Sequence, residues 1–334
     1  MENILLPLIN TPFVPGHLLE SVQAIEDERE REIAMGEYHY FSGHPEKAAE
    51  AMEPYLACED VTIRLSACLI YTFANLAMDN IHLARHAMAE MEKTFAKINA
   101  DANAPAELKA MSAFVSATSA VLLHLPLKDD TAFSSKNLML LPPGLRFFSC
   151  YVQAHYTYLQ GKYGRSIGNV EMAFAFMPEV YPIPSIYLRL IAVMDYIALK
   201  ESDKAKEQLL LAWDLARPDG LIEPFGEHHG LLGGVLEATL KKDWPKEFKQ
   251  IIDITYSFSN GWRKVHNPDT GHDVADNLTT TEFAIAMLVS RDWTYQEISS
   301  HMGISVNTVK FHMGTILGKL GVTKKSEIRQ FMLK

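Results

Sequence analysis

Three cysteines in 334 residues, Cys58, Cys68 and Cys150, show no C-x-x-C spacing and leave an odd count, so neither a disulfide framework nor a zinc knuckle is expected. Long apolar runs are also missing. The most apolar window, residues 111–127, is broken by Ser112, Ser116, Thr118, Ser119, His124 and Pro126 and falls short of a membrane span. The opening MENILLPLIN has an acidic Glu2 and Pro7 but no basic stretch, which excludes a secretory signal; a soluble, cytoplasmic protein is expected. No low-complexity tract occurs, and 48% hydrophobic with 22% charged residues is a globular composition. No G-x-x-x-x-G-K-[ST] phosphate loop occurs either, so ATP is not an expected cofactor, nor is any other. No Ser-His-Asp, paired-carboxylate or Cys-His arrangement stands out, and an enzyme is not expected.

Basic charge is scarce as well: the net charge is −10, which by itself argues against a nucleic-acid partner. The charge is uneven, however. Residues 278–334 carry seven Lys and Arg against four acids, net +3, leaving −13 for residues 1–277. An acidic body is followed by a small basic unit.

Period-two alternation is nearly absent before residue 260, whereas apolar residues at helical spacing recur, as in Leu209, Leu210, Trp213, Leu215 and Ala216. The expected fold class is all-α. A unit also repeats, in which an aromatic-rich helix ends in a polar turn and the next helix opens on a small residue. Copies end at Ala48 and Ser166, with weaker ones at Ala84 and Ala205, spaced by 36, 82 and 39 residues; the middle interval is about two periods with one degenerate copy between. Stacked helical hairpins follow, about five of them, forming an α-solenoid. These turns resemble tetratricopeptide-type repeats, though with a longer period and a break over residues 126–143. The expected organisation is a helical sensor or interaction domain over 1–259, a linker over 260–277 rich in Gly, Asn, Asp and Pro, and a C-terminal unit over 278–334.

The C-terminal unit is denser in local signals. Thr279 and Glu282 form a capping box that starts a helix through Val289; Thr294 and Glu297 repeat the box and start Tyr295–Met302. Gly303 closes that helix, Ser305 caps Val306–Leu320, Gly321 follows it, and a last helix covers residues 324–332. Two short helices joined by a glycine-containing turn make a helix-turn-helix, whose second helix lies in the DNA major groove. On that helix Val309, Met313, Ile316, Leu317 and Leu320 form a buried stripe. The opposite face holds Asn307, Lys310, Phe311, Gly314 and Gly318. Asn307 and Lys310 suit base edges or phosphates, Phe311 suits thymine methyls, and Thr308 with the open amides suits a phosphate. Each glycine costs the helix roughly 1 kcal/mol against alanine, so the pair is read as a shallow notch in the reading face.

Leu278-Thr279-x-x-Glu282, Glu297-Ile298-Ser299, Ile304-Ser305, Thr308-Val309-Lys310-x-His312, Ile316 and Lys319-Leu320-Gly321-Val322 resemble the LuxR-type (GerE-type) DNA-binding domain, in register over some fifty residues. The resemblance implies a four-helix LuxR-type helix-turn-helix domain that dimerises through its last helix on a roughly two-fold symmetric promoter site. It implies that Lys310 and Phe311 face bases and that Thr308, Lys319 and the second helix's N-terminus, Thr294 and Tyr295, hold phosphates. Asn307, Gly314, Thr315 and Lys325 complete the expected DNA-facing set, Lys325 being equally readable as a solvated helix start. The sequence departs from the family where Asp292 replaces a usual glycine, Gly314 a frequent basic residue, and Tyr295-Gln296 a common Asn-Lys pair. Phosphate neutralisation is therefore thin; about four charges give a salt slope of only about −3.6. Residues 213–225, followed by Leu231 and Leu232, resemble the end of the repeat region in MalT-type (LAL) regulators, here without their ATPase module.

Other residues receive plainer readings. His228-His229 with Glu223 and Glu227 are expected as surface or partly packed residues, since adjacent histidines face different sides of a helix and poorly share one metal ion. Tyr38, Tyr40, Phe41, Tyr151, Tyr156, Tyr158 and Tyr163 are expected as core, with His39, His155 and Arg165 keeping open a ligand groove on the concave side. His312 is expected to meet the DNA backbone or pack rather than act as a pH switch. The whole reads as a DNA-binding regulator whose helical domain senses a small-molecule or protein ligand. The alternative is an interaction scaffold with a weak or vestigial DNA-binding domain.

Overall fold

A computed structural model describes residues 4–127, 130–266 and 278–332. Among them the regular structure is entirely helical. Five antiparallel pairings follow in chain order: Glu28–Phe41 with Pro45–Met52, Val61–Ala77 with Ile81–Ala100, Ala106–Leu122 with the short Ser135–Leu140, Pro143–Leu159 with Tyr163–Phe176, and Pro182–Ala198 with Ser202–Ala216.

Each pairing turns on one left-handed residue. Gly43, Asp79, His124, Gly161 and Lys200 have φ of 77°, 63°, 51°, 71° and 63°, spaced 36, 45, 37 and 39 residues apart. At each, the following amide returns to a carbonyl five residues back, as in His44 N to His39 O at 2.8 Å and Glu201 N to Tyr196 O at 2.8 Å. His124 is the degenerate copy expected between residues 84 and 166. Past the turns, Ala48, Ala84, Ser166 and Ala205 are all fully buried, which lets the paired helices approach closely.

The array closes on itself instead of staying open. The helix Pro245–His266 packs back on Val61–Ala77 and Ile81–Ala100, and the short helix Glu223–His228 lies against Glu28–Phe41, Pro182–Ala198 and Pro245–His266. Asp219 accepts the amides of Gly16 at 2.7 Å and Leu18 at 3.1 Å, tying the two ends of the body together. The N-terminal segment enters the core: Leu5, Leu6 and Leu8 are fully buried, and the Leu8 and Ile9 amides donate to the Glu37 carboxylate at 2.9 and 3.2 Å. The interior left by closure is filled by aromatic groups. Tyr151 stands between Phe148, Tyr187, His155 and His228 at centroid distances of 5.0–5.9 Å.

Three expectations need correction. Tyr40, Phe41, Tyr151 and Tyr158 are core, as expected, but Tyr38, Tyr156 and Tyr163 are only partly buried. His228 and His229 are not surface residues: they are 4% and 3% exposed, because the closing helix carries them inside, where His228 meets the Tyr151 hydroxyl at 2.9 Å and His229 meets Glu237 at 2.8 Å. They do face different partners, and among the described residues no group of three or more His, Cys, Asp or Glu could hold a metal ion. The segment expected as a linker from residue 260 begins as helix, since Pro245–His266 continues through it; residues 267–277 lie outside the described residues. No helix among the described residues is long and apolar enough to cross a membrane.

Candidate nucleic-acid interface

The C-terminal helices form where local chemistry dictates. Thr279 Oγ1 accepts the Glu282 amide at 3.3 Å while Glu282 accepts the Thr279 amide at 2.8 Å, starting Thr280–Ser290. Thr294 and Glu297 repeat that box at 3.2 and 2.6 Å and start Tyr295–Met302. Gly303 at φ 66° turns the chain, Ser305 caps Val306–Leu320, and Gly321 at φ 66° ends it. The last element is not one helix: residues Lys325–Ile328 form a 3-10 turn that passes into Arg329–Met332.

The helix Val306–Leu320 buries Val309, Met313, Ile316 and Leu320. Its outer face carries Asn307, Lys310, Phe311, Gly314 and Gly318, all exposed, with Phe311 72% exposed. A Cβ built on Gly314 or Gly318 meets nothing within 4 Å, so neither glycine is required by packing. Gly314→Ala is accordingly expected to raise stability by up to about 1 kcal/mol, read from urea unfolding, because only helix propensity changes. If operator affinity also stays unchanged, the notch plays no part in reading.

The remaining expected DNA-facing residues divide into two groups. Tyr295 and Lys325, thirty positions apart, come together with the ammonium 6.0 Å from the ring centroid, and Thr294 is exposed beside them. Thr308, half-buried, bonds Ser305 Oγ at 2.8 Å, and Thr315 back-bonds to the Phe311 carbonyl at 3.3 Å, so both hydroxyls already have partners. Lys319 turns inward to Glu282 at 2.7 Å. Burial pushes the Glu282 carboxyl up, but Lys319 and the Thr279 cap outweigh it and hold it below its usual range. Lys310 is thus the exposed cation on the outer face of this helix. His312 is half-buried, with its ring 5.8 Å from that of Phe311.

The opposite side of the unit docks on the body, which sequence reasoning did not anticipate. The first helix, Thr280–Ser290, is buried at Glu282 and continuously from Ala284 to Ser290, so it is covered on both sides. Arg291, just past its end, donates to the Tyr158 hydroxyl, lies over the Tyr158 ring at 5.6 Å, and sits near the buried Asp195. His301 bridges Ser202 Oγ at 3.0 Å and the Gly233 carbonyl at 2.9 Å; the carbonyl can only accept, so Nε2 carries the hydrogen. Burial pushes the His301 pKa down, opposed by the Gly233 carbonyl.

Two left-handed turns meet across this junction. Lys200 at φ 63° donates to the carbonyl of Asp292 at φ 60°, at 2.8 Å, and pairs with Glu297 at 3.3 Å. The Thr294 cap and Lys200 together hold the Glu297 carboxyl below its usual value. The backbone at Asp292 explains why a glycine would suit that place. Gly233 and Gly234, at φ 58° and 77°, complete the seat: a Cβ on the first would come within 3.2 Å of Leu288 and Met287, and on the second within 2.8 Å of Met302. The readable trace was the apolar run Ala284 to Val289, too continuous for a helix with one buried stripe. Lys200 and His301 left none.

Comparison with known proteins agrees with this arrangement of helices. No solved structure matches the chain. A probable transcriptional regulatory protein, SgaR, of Hyphomicrobium methylovorum is 36% identical over 55 residues, which is 16% of this chain and 26% of that protein, so the match spans about a quarter of that relative. Residues 276–332 match the model of the bacterial regulatory proteins of the luxR family, and the C-terminal unit of this all-helical chain is a luxR-family helix-turn-helix domain.

Proposed function

We propose that this protein is a DNA-binding transcriptional regulator in which Val306–Leu320 reads promoter DNA and the helical body sets the position of that reader in response to a ligand or protein partner. The observation that carries this reading is the two-sidedness of the C-terminal domain: Asn307, Lys310 and the bare Phe311 ring stand outward, while Arg291, Glu297 and His301 engage the body from behind. Docking therefore leaves the reading face open. The body acts by fixing where the reader stands rather than by covering it, and pairing of two copies through residues 324–332 brings two readers to one site.

With Lys310 the exposed cation on the reading face, binding to one half-site is weak and salt-tolerant for a DNA reader. Lys310→Ala in the full chain is expected to lower operator affinity about tenfold and to reduce the salt slope by about 0.9 per protomer, measured by fluorescence anisotropy across 50–200 mM salt. The scaffold reading requires the opposite: no sequence-specific complex with promoter fragments at low salt, for either the parent or the variant.

A further inference from the structure

A cavity of about 300 Å³ opens between the first hairpin turn, the start of Glu223–His228 and the middle of Pro245–His266. Its lining includes Glu46, Glu223, Asp253, Gln250, Ser42 and Ser257. Glu223 is the unusual member. It is 1% exposed, yet neither carboxyl oxygen has a hydrogen-bond partner. Asp195 is likewise buried with no bonded oxygen, but it has the Arg291 cation nearby, and other deeply placed carboxyls are provided for: Glu37 by two backbone amides, Glu227 by the Tyr40 and Tyr187 hydroxyls, Glu237 by His229. A buried carboxyl without a partner is unfavourable, so this one stands where a counter-group belongs.

The lining carries no Lys or Arg, and its acids exclude an anion. Lys249 meets Asp253 at 3.3 Å on the exposed side and is not part of the lining. A bare metal ion does not fit, because it needs several oxygen ligands converging at 2.0–2.6 Å and the carboxyls here are not so grouped. Apolar surface from Ile222 and Ile254 lies beside the carboxyls, matching a charged head on a short aliphatic stem.

We propose that this cavity binds an alkylammonium compound, with the Glu223 carboxylate as the buried counter-ion and Glu46 at the mouth. Burial, with Glu227 and Glu46 nearby, keeps the Glu223 proton on in the free protein. An entering ammonium replaces that proton, so affinity rises with pH; Glu227, Glu46, Asp253, His44, Tyr40 and Tyr187 are titratable groups that face or adjoin the site. Binding would also be felt at the DNA-binding domain. The twelve residues from Glu223 to Gly234 run from the cavity to the seat where Gly230, Gly233 and Gly234 touch Phe283, Leu288 and Met302. This consequence rests on the regulator reading above; the site itself does not.

Calorimetry on the full chain at pH 8 with n-butylamine, 1,4-diaminobutane and spermidine, and with 1,4-butanediol as the uncharged control, tests the site. At least one amine is expected to bind one-to-one, with Glu223→Gln weakening it tenfold or more, Glu46→Gln weakening it severalfold without touching the core, and the diol giving no heat. Equal binding of amine and diol, amine binding indifferent to both variants, or no amine binding at millimolar concentration overturns the proposal. Promoter binding without amine, measured separately by mobility shift, tests the regulator reading, so the two can fail independently.

Discussion

Replacing Arg291 with alanine is expected to detach the C-terminal domain from the body. The guanidinium reaches into the body's buried surface: it bonds and covers Tyr158 and lies close to Asp195, whose carboxyl burial pushes up to about 8 against the pull of Ser166 and Arg291. Deleting one member of such a group leaves the others desolvated, which costs about 2–3 kcal/mol when the deleted side chain is itself half-buried. That loss is comparable to the gain from the remaining polar contacts at Lys200 and His301, of which the Lys200–Glu297 pair is substantially exposed. The expected outcome is a larger radius of gyration in solution scattering and faster amide exchange over Thr280–Ser290, with exchange in the hairpins unchanged. Arg291→Lys should not restore docking, since a single ammonium neither stacks on the ring nor reaches several partners at once. Unchanged scattering and exchange in Arg291→Ala would show that apolar packing alone holds the junction.

Stability is expected to be nearly level between about pH 5 and 6.5 and to fall toward alkaline pH, an unusual profile for an acidic protein. Glu37 is pushed up to about 8 by burial, against the pull of the Leu8 and Ile9 amides, and Asp195 is pushed up to about 8 by burial. Glu227 is raised to about 7 by burial, opposed by Tyr40 and Tyr187; part of its surface stays accessible, so its share is smaller. Between about pH 4.5 and these values the folded chain holds protons that the unfolded chain has released, so stability is lost as pH rises through the window. The histidines run the other way. Burial lowers His155 and His301 and takes His228 to about 4, so below pH 6.5 the unfolded chain gains protons that the folded chain refuses. Below pH 6.5 the two sets largely offset each other; above it the carboxyls act alone and give a loss on the order of 2 kcal/mol between pH 6.5 and 8.5. Urea midpoints at constant slope across pH 5–9 measure it. Glu37→Gln should flatten the alkaline limb, and a parent profile that is flat or rising there would contradict the account.

Local grammar made much of this molecule legible. Both capping boxes, Gly303, Ser305 and Gly321 mark the C-terminal helices to within a residue, because each signal acts within four positions of the backbone it satisfies. The hairpin period was visible for the same reason, and even the degenerate turn at His124 falls inside the expected gap. Contacts between distant segments were not visible. Arg291 meets Tyr158 across 133 positions and Tyr40 meets Glu227 across 187, and no local pattern encodes either. That is why the hairpin solenoid and the C-terminal unit were legible in the sequence, while the closure of the body and the seat that holds the reader were not. Lys319 is the instructive single case. The family resemblance implied that it holds a phosphate, yet Glu282, present as a capping residue, also draws it inward.

Closure also sets an order of events during synthesis. Leu5, Leu6, Leu8 and Ile9 leave the ribosome well before Asp219, and although Glu37 and Ser66 soon offer partners to the amides of Leu6, Leu8 and Ile9, Gly16 and Leu18 wait for Asp219. At 5–20 residues per second that is about 10–40 s during which the body's entrance cannot be sealed. Through that interval the nascent chain carries an apolar strip, Leu5 to Ile9, that is buried in the complete body and is an aggregation hazard while the body is still open.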